Sequence, residues 1–338
     1  MKLIAQWSLN DRQELLQEAS AKLGVTPAII EKDFWVTWTL ATLFSDDVLS
    51  NQLMFKGGTS LSKVYGVIER FSEDIDLILN WDSLPQEAPA EQQISKSKDM
   101  KVGKALNEDA QNYIATTLLE LIRQRVEPIC EVSLDDDPYV INVSYPSSFT
   151  DDYLRPEIRL EIGPMAAWSP HQQYQVTSLA AKAFPDQFKD AFCDVNVILA
   201  KRTFWEKATI LHAEAHRPDT SKQPMRYSRH YYDLAKLATS DIRRQALEDI
   251  DLLADVVIFK KRFYQSGWAN YQTAKPGGFR LIPNEAVLQA LRKDYQAMRN
   301  MIYGDYPEFD VMITILTDLE GAINALSVNE NNDLSSTE

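Results

Sequence analysis

Two short stretches are the most informative part of the sequence: residues 55–63 read FKGGTSLSK and residues 70–79 read RFSEDIDLIL. In the second, acidic and apolar residues alternate from Asp74 onward, which predicts a strand over 74–79. Successive side chains of a strand point to opposite faces, so Asp74 and Asp76 share a face. Two carboxylates at this spacing can bind Mg²⁺ or Mn²⁺ and so hold a triphosphate. The alternative is an edge strand whose two aspartates face the solvent.

A glycine pair, Gly57 and Gly58, precedes a predicted short helix that begins near Thr59. Glycine lets the backbone approach a ligand closely, and the first N–H groups of a helix suit a phosphate. The hydroxyls of Thr59 and Ser60 add two polar groups. Taken alone, the two glycines are also typical of an ordinary tight turn.

A second alternating stretch, residues 157–163, predicts another strand with Arg159 and Glu161 on its polar face. If this strand lies beside the first, Glu161 is a third carboxylate next to Asp74 and Asp76. If that face meets water, these side chains form only a surface ladder of charges.

Composition excludes several classes of protein. The chain has 338 residues, 49 of them acidic and 35 basic, and its net charge is −14. Its 45% hydrophobic content excludes a disordered protein. The longest apolar stretch, residues 34–44, is too short to span a membrane. Residues 1–9 lack the apolar core of a secretion signal. The presence of only two cysteines fits a reducing cytoplasm. The acidity argues against indiscriminate coating of nucleic acid.

Two regions run against this acidity. Between residues 201 and 230 basic side chains outnumber acidic ones by seven to three. Residues 260–262, Lys-Lys-Arg, precede Tyr264 and Trp268. The basic side chains could bind the phosphates of a single-stranded RNA end, and the aromatic rings could stack on its bases. The alternative is that these aromatic residues belong to the core.

His212 and His216 share a helix face, but no third zinc ligand is evident, so we expect them as cations near a helix C-terminus.

The order of predicted elements indicates an α+β fold. Strands and helices mix up to residue 198, helices follow from 199 to 328, and residues 329–338 form a polar tail. The prediction is a mixed sheet core, which includes N-terminal helices, and a helical C-terminal domain.

Five motifs together resemble the AbiEii/AbiGii toxin family within the polymerase-β-like nucleotidyltransferase superfamily. They are Gly57-Gly58-Thr59-Ser60, Arg70 to Asp76 with its Ser-x-Asp-x-Asp core, Arg159-Leu160-Glu161, Glu206-Lys207-Ala208, and Arg229-His230-Tyr231-Tyr232-Asp233-Leu234. The resemblance covers nearly the whole chain, from Glu31 to Pro307.

This resemblance implies a nucleotidyltransferase-like core and the toxin of a bacterial toxin–antitoxin or phage-defence system. Such an enzyme would use Mg²⁺ or Mn²⁺ to transfer NMP from an NTP to an acceptor, with tRNA as the expected acceptor and a cognate antitoxin as partner. Two alternatives stay open: nucleotidylation of a protein hydroxyl, and a non-catalytic nucleotide-binding module.

The resemblance also implies roles for individual residues. Asp74 and Asp76 would be metal ligands, with Glu161 as a less secure third. The nucleotide would be bound by Gly57, Gly58, Thr59, Ser60, Ser72 and Lys207. Lys207 and Asp233 would complete the catalytic set with Asp74 and Asp76. The alternatives are a solvated Lys207 paired with Glu206 or Glu214, and an Asp233 that makes a structural salt bridge to Lys207 or Arg229.

Overall fold

A computed structural model describes residues 1–72, 74–85, 96–151, 154–218, 221, 223–264 and 266–326. The predicted tail at 329–338 lies outside these residues. The chain divides into two compact units, Met1–Leu199 and the residues from Ala200 onward. The first unit combines a mixed sheet with helices, and the described part of the second contains helices and no strand, so the predicted α+β class is confirmed.

The first unit holds seven strands and eight α-helices among its described residues. The strands are β1 (Leu53–Lys56), β2 (Asp74–Leu79), β3 (Glu131–Leu134), β4 (Val140–Ser144), β5 (Glu157–Gly163), β6 (His171–Thr177) and β7 (Phe192–Ile198). The helices are α1 (Lys2–Ala5), α2 (Leu9–Leu23), α3 (Pro27–Phe44), α4 (Asp47–Gln52), α5 (Gly57–Lys63), α6 (Lys96–Tyr113), α7 (Leu119–Val126) and α8 (Leu179–Ala183). A π-helical turn, Ile114–Leu118, joins α6 to α7.

The seven strands form one sheet in the order β3-β4-β5-β2-β1-β7-β6. Strand β2 pairs antiparallel with β1 and parallel with β5, so it lies in the middle of the sheet. The edge-strand alternative for its two aspartates is therefore wrong.

The two faces of β2 differ in polarity because its residues alternate. Ile75, Leu77 and Leu79 are fully buried in the main hydrophobic core, to which α3 also contributes. Asp74 and Asp76 lie on the opposite face, and further along that face Ile78 packs with Met54 and Ile198 in a small separate cluster. The alternation thus aims the carboxylates away from the main core.

The described residues of the second unit form six α-helices. They are α9 (Ala200–Ala215), α10 (Ser228–Ala238), α11 (Asp241–Leu247), α12 (Ile250–Phe263), α13 (Glu285–Ala297) and α14 (Phe309–Asn324). Helix α9 packs against α10, α11 and α12, while α10 also packs against α13 and α14. None of the helices in the described parts of either unit is long and apolar enough to cross a membrane.

Candidate active site

The register of β2 and β5 brings the predicted acidic residues together. Asp74 lies opposite Arg159, and Asp76 lies opposite Glu161. Paired residues of neighbouring strands project from the same face, so these four side chains share one surface. The two strands are therefore neighbours, which is the condition under which Glu161 lies beside Asp74 and Asp76.

Arg159 is the centre of a charged cluster on this surface. Its guanidinium lies 2.7 Å from Asp135, 3.6 Å from Asp74 and 3.7 Å from Glu161. The side chain of Arg159 is only 13% exposed, so the group is more enclosed than a solvated surface ladder. The positive charge offsets the mutual repulsion of three carboxylates.

Two residues of this cluster were not predicted: Asp135, which binds Arg159, and Asn142, which binds Asp135. Asp135, just after β3, accepts hydrogen bonds from Arg159 and from the Asn142 amide, 3.0 Å away. The pKa of Asp135 lies below its usual value because its carboxylate accepts the backbone N–H of Asp137 and the Asn142 amide, and Arg159 adds to this. The only signal in the sequence was the acidic run 135–137, which by itself is also typical of a solvated turn.

The predicted third metal ligand is not assembled with the other two. Among the residues that the structure describes, no three His, Cys, Asp or Glu side chains are grouped so that they could hold a metal ion. Glu161 lies beside Asp76 in the sheet, but its carboxylate faces Arg159 and its side chain is 42% exposed. Of the three predicted carboxylates, the fold sets Asp74 and Asp76 on the same face of one strand, two residues apart.

Gly57 is packed directly against the carboxylate of Asp76. Its φ is +78°, a left-handed conformation that glycine adopts without strain. A Cβ at this position would lie 1.9 Å from Oδ2 of Asp76, which is closer than any real contact. Glycine is required here both by the backbone conformation and by the space that the carboxylate occupies.

Gly58 is crowded in a similar way by Arg70 and Ser72. A Cβ at Gly58 would lie 2.4 Å from the Arg70 guanidinium and 3.3 Å from the Ser72 hydroxyl. Arg70 is buried at 4% exposure, although the sequence analysis assigned it no role. The structure thus places the predicted nucleotide residues Gly58 and Ser72 next to a buried cation.

The hydroxyls of Thr59 and Ser60 are engaged within the protein. Thr59 donates to the backbone carbonyl of Asp74 at 2.5 Å, and Ser60 donates to that of Gly57 at 2.8 Å. Their hydroxyl hydrogens therefore tie α5 to β2 and close its first turn. If these two residues bind a triphosphate, the donors would be their backbone N–H groups at the start of α5.

The second unit brings Lys207 and Asp233 together. The Lys207 ammonium on α9 lies 2.8 Å from the Asp233 carboxylate on α10, and their side chains are 8% and 0% exposed. The alternative of a solvated Lys207 is wrong, because this lysine is buried. Glu206 is instead paired with Arg202, and Glu214 with Arg217.

Lys207→Met is expected to lower the free energy of unfolding by about 3–5 kcal/mol, because it removes one partner of the buried Lys207–Asp233 ion pair. The matched control on the same helix is Lys201→Met, which removes a half-exposed pair with Asp249 and should cost about 1 kcal/mol or less. Urea unfolding measures both losses. Equal losses in the two variants would contradict a buried, coupled pair.

His212 lies in the last turn of α9 as expected, but the expectation that it is a cation there is wrong, since its ring is buried. Its Nδ1 accepts the backbone N–H of Arg280 at 3.0 Å, and its Nε2 lies 3.1 Å from the carbonyl of Asn270. Burial lowers the pKa of His212 from 6.5 to about 4. The ring joins α9 to the segment that follows α12, and it does not act as a cation.

This burial predicts acid sensitivity. Between pH 6.5 and about 4 the unfolded chain binds a proton at His212 that the folded chain does not, so stability falls as the pH falls. The slope from this group is about 1.4 kcal/mol per pH unit. His212→Gln should flatten the dependence measured by thermal unfolding across this window, while replacement of the exposed His171 by Gln should not. An unchanged slope in His212→Gln would contradict the assignment.

The basic stretch at 201–230 is largely neutralised within the second unit. Lys201 pairs with Asp249, and Arg217 both pairs with Glu214 at 2.7 Å and lies over the ring of Trp268. The predicted charges at 219 and 222 lie outside the described residues. Tyr264 is exposed, with the Lys260 ammonium 4.3 Å from its ring centre.

Two comparisons with known proteins found a similar family or structure. The family "Nucleotidyl transferase AbiEii toxin, Type IV TA system" matches residues 38–315. Among solved structures, MenT4, a nucleotidyltransferase toxin from Mycobacterium tuberculosis, aligns over 93% of this chain and 99% of its own, with 16% identity and a TM-score of 0.39. No curated protein sequence matches.

The family match covers most of the chain. The protein belongs to the AbiEii family of nucleotidyltransferase toxins of type IV toxin–antitoxin systems. It is accordingly a nucleotidyltransferase, and the partner implied by such a system is an antitoxin.

Proposed function

We propose that this toxin transfers NMP from an NTP to an RNA acceptor, with tRNA as the first candidate, in a reaction that depends on Mg²⁺ or Mn²⁺. The observation that carries the proposal is the placement of Asp74 and Asp76 on one face of the central strand, with Gly57 packed on Asp76. The proposed catalytic core is residues 1–198, with residues 199–328 as a helical domain. Action in the cytoplasm against phage is part of the proposal.

The donor set suits a hard divalent cation. The side chain of Asp74 is 27% exposed, so its carboxylate oxygens are accessible to a ligand from solvent. The carboxylate of Asp76 packs against the backbone of Gly57. A cation bound by these carboxylates would lower the pKa of the attacking hydroxyl and neutralise charge on the phosphates. Glu161 becomes a third ligand in this proposal only if its carboxylate turns away from Arg159.

The reaction forms one bond and breaks one. The acceptor hydroxyl oxygen attacks the α-phosphorus of the NTP, the bond from that phosphorus to the bridging oxygen breaks, and pyrophosphate leaves with the electron pair. The hydroxyl proton passes to water. No covalent enzyme intermediate is required, so positioning and electrostatic stabilisation account for the catalysis.

The remaining predicted residues have binding roles in this proposal. Gly57, Gly58 and Ser72, with the backbone of Thr59 and Ser60, hold the triphosphate. Lys207 supplies positive charge to the departing pyrophosphate, and Asp233 orients Lys207 through the 2.8 Å pair. The exposed Tyr264 beside Lys260 supports an RNA acceptor, since an exposed ring next to a cation can stack on an unpaired base.

The test uses the purified chain with each of the four NTPs labelled at the α-phosphate, Mg²⁺ or Mn²⁺, and a lysate that contains total RNA. Label in tRNA that disappears in Asp76→Ala supports the proposal. Label in protein would instead establish the protein-hydroxyl alternative. A chain that labels nothing with any nucleotide and either metal would overturn both. Membership in an enzyme family argues against the non-catalytic binding module.

A further inference from the structure

Three consecutive charged residues of α3 are buried. Glu31, Lys32 and Asp33 are 1%, 0% and 6% exposed, which is unusual because a buried charge without partners costs several kcal/mol. Each of them has partners outside α3, in three different segments of the first unit.

Glu31 and Lys32 hold the connection between β4 and β5. Glu31 accepts the backbone N–H groups of Ser148 and Phe149 at 2.8 and 3.1 Å. Lys32 donates to the backbone carbonyl of Arg155 at 2.7 Å, two residues before β5 begins.

Asp33 holds α5 and α8. One of its carboxylate oxygens pairs with the ammonium of Lys63, the last residue of α5, and the other accepts the backbone N–H of Leu179 at 2.6 Å. Lys63 also donates to the Thr37 hydroxyl at 2.7 Å. Burial lowers the pKa of Lys63 and the Asp33 charge opposes that effect, as expected for a cation held in place by its partner.

The opposite end of α5 contacts the proposed metal ligands. Gly57, its first residue, packs on the Asp76 carboxylate, and Thr59 donates to the carbonyl of Asp74. Helix α5 has only seven residues, about 10 Å of rise. A change in the position of its C-terminal end is therefore transmitted to Gly57 and to the carboxylate behind it.

We propose that Asp33 and Lys63 are positioning residues for nucleotidyl transfer: their buried ion pair fixes the C-terminal end of α5 and thereby the place of Gly57 against Asp76. The inference rests on the proposed role of Asp76 as a metal ligand. Neither residue contacts the reacting groups in this account, and their effect passes through α5.

The decisive variant is the double substitution Asp33→Leu with Lys63→Met. Replacing a buried ion pair by apolar residues of similar size often preserves stability, but the new contact is not directional. We expect a folded chain with a moderately lower midpoint of thermal unfolding, because Asp33→Leu also removes the acceptor of the Leu179 N–H. We expect kcat to fall about 10- to 100-fold. We also expect the affinity for Mn²⁺, measured by EPR, to fall about 10-fold. Lys22→Met is the control, since Lys22 also donates to a backbone carbonyl of this unit, that of Ala183, without touching α5.

Thr37→Val is a milder second variant in case the double variant does not fold. It is nearly isosteric and removes only one acceptor of Lys63, and we expect a severalfold lower kcat with Lys22→Met unchanged. Native kcat and Mn²⁺ affinity in a folded double variant, or in Thr37→Val when the double variant is unfolded, would overturn the positioning role. A native chain that neither transfers label nor binds Mn²⁺ would instead contradict the proposed function.

Discussion

Asp76→Asn is expected to lower nucleotidyl transfer roughly 100- to 1000-fold and to leave the fold intact. The side chain keeps its size and its place beside Gly57, but it loses the negative charge that a divalent cation needs. Initial rates with an α-labelled NTP measure the first effect, and thermal unfolding measures the second.

The matched control for this result is Asp194→Asn. Asp194 is an exposed aspartate on β7 of the same sheet, and its charge has no role in the proposed site. It should transfer at the native rate. Comparable activity in Asp76→Asn and Asp194→Asn would contradict the assignment of Asp76 as a metal ligand.

Gly57→Ala is expected to damage both stability and activity. The left-handed backbone at Gly57 costs an alanine about 1–2 kcal/mol, and the new methyl group meets the Asp76 carboxylate. Because that carboxylate must move, transfer should fall about 100-fold. Unfolding in urea and transfer rates, measured on the same preparation, give the two effects separately.

Gly66→Ala distinguishes the cost of a left-handed backbone from the effect of a methyl group against the Asp76 carboxylate. Gly66 has a φ of +61°, but a Cβ there would meet no atom within 4 Å. It should therefore show a similar conformational cost with native transfer activity. If Gly57→Ala and Gly66→Ala lose activity equally, backbone strain and not the contact with Asp76 would explain the loss.

Much of the candidate site could be predicted from short sequence patterns. Strands β2 and β5 have the predicted bounds, because alternation of charged and apolar residues is a local signal that survives folding. Strands β3, β6 and β7 were not predicted. Strand β6 reads His-Gln-Gln-Tyr-Gln-Val-Thr, and at this edge of the sheet only Tyr174 and Val176 contact the core, which is too short an apolar pattern to predict a strand.

The contacts made by long charged side chains were the hardest to predict. Arg159 on β5 binds Asp135, which directly follows β3, and Asp33 binds Lys63, which is thirty residues further along the chain. A solvated Lys207 was one of the alternatives because lysine is usually exposed, and a cationic His212 was expected because a cation is favourable near a helix C-terminus. Only the packing of α9 against its neighbours shows that both are buried.

Sequence alone was enough to indicate the class of protein, through the resemblance of its motifs to a known family. The α+β order of elements and the face shared by Asp74 and Asp76 follow from residue type and local periodicity. The partners of those residues, in contrast, depend on the tertiary structure. It placed β5 beside β2, packed Gly57 on Asp76, set Arg159 among three carboxylates and buried the charges of α3. Such contacts depend on strand register and on helix packing over long sequence separations, which no local pattern encodes.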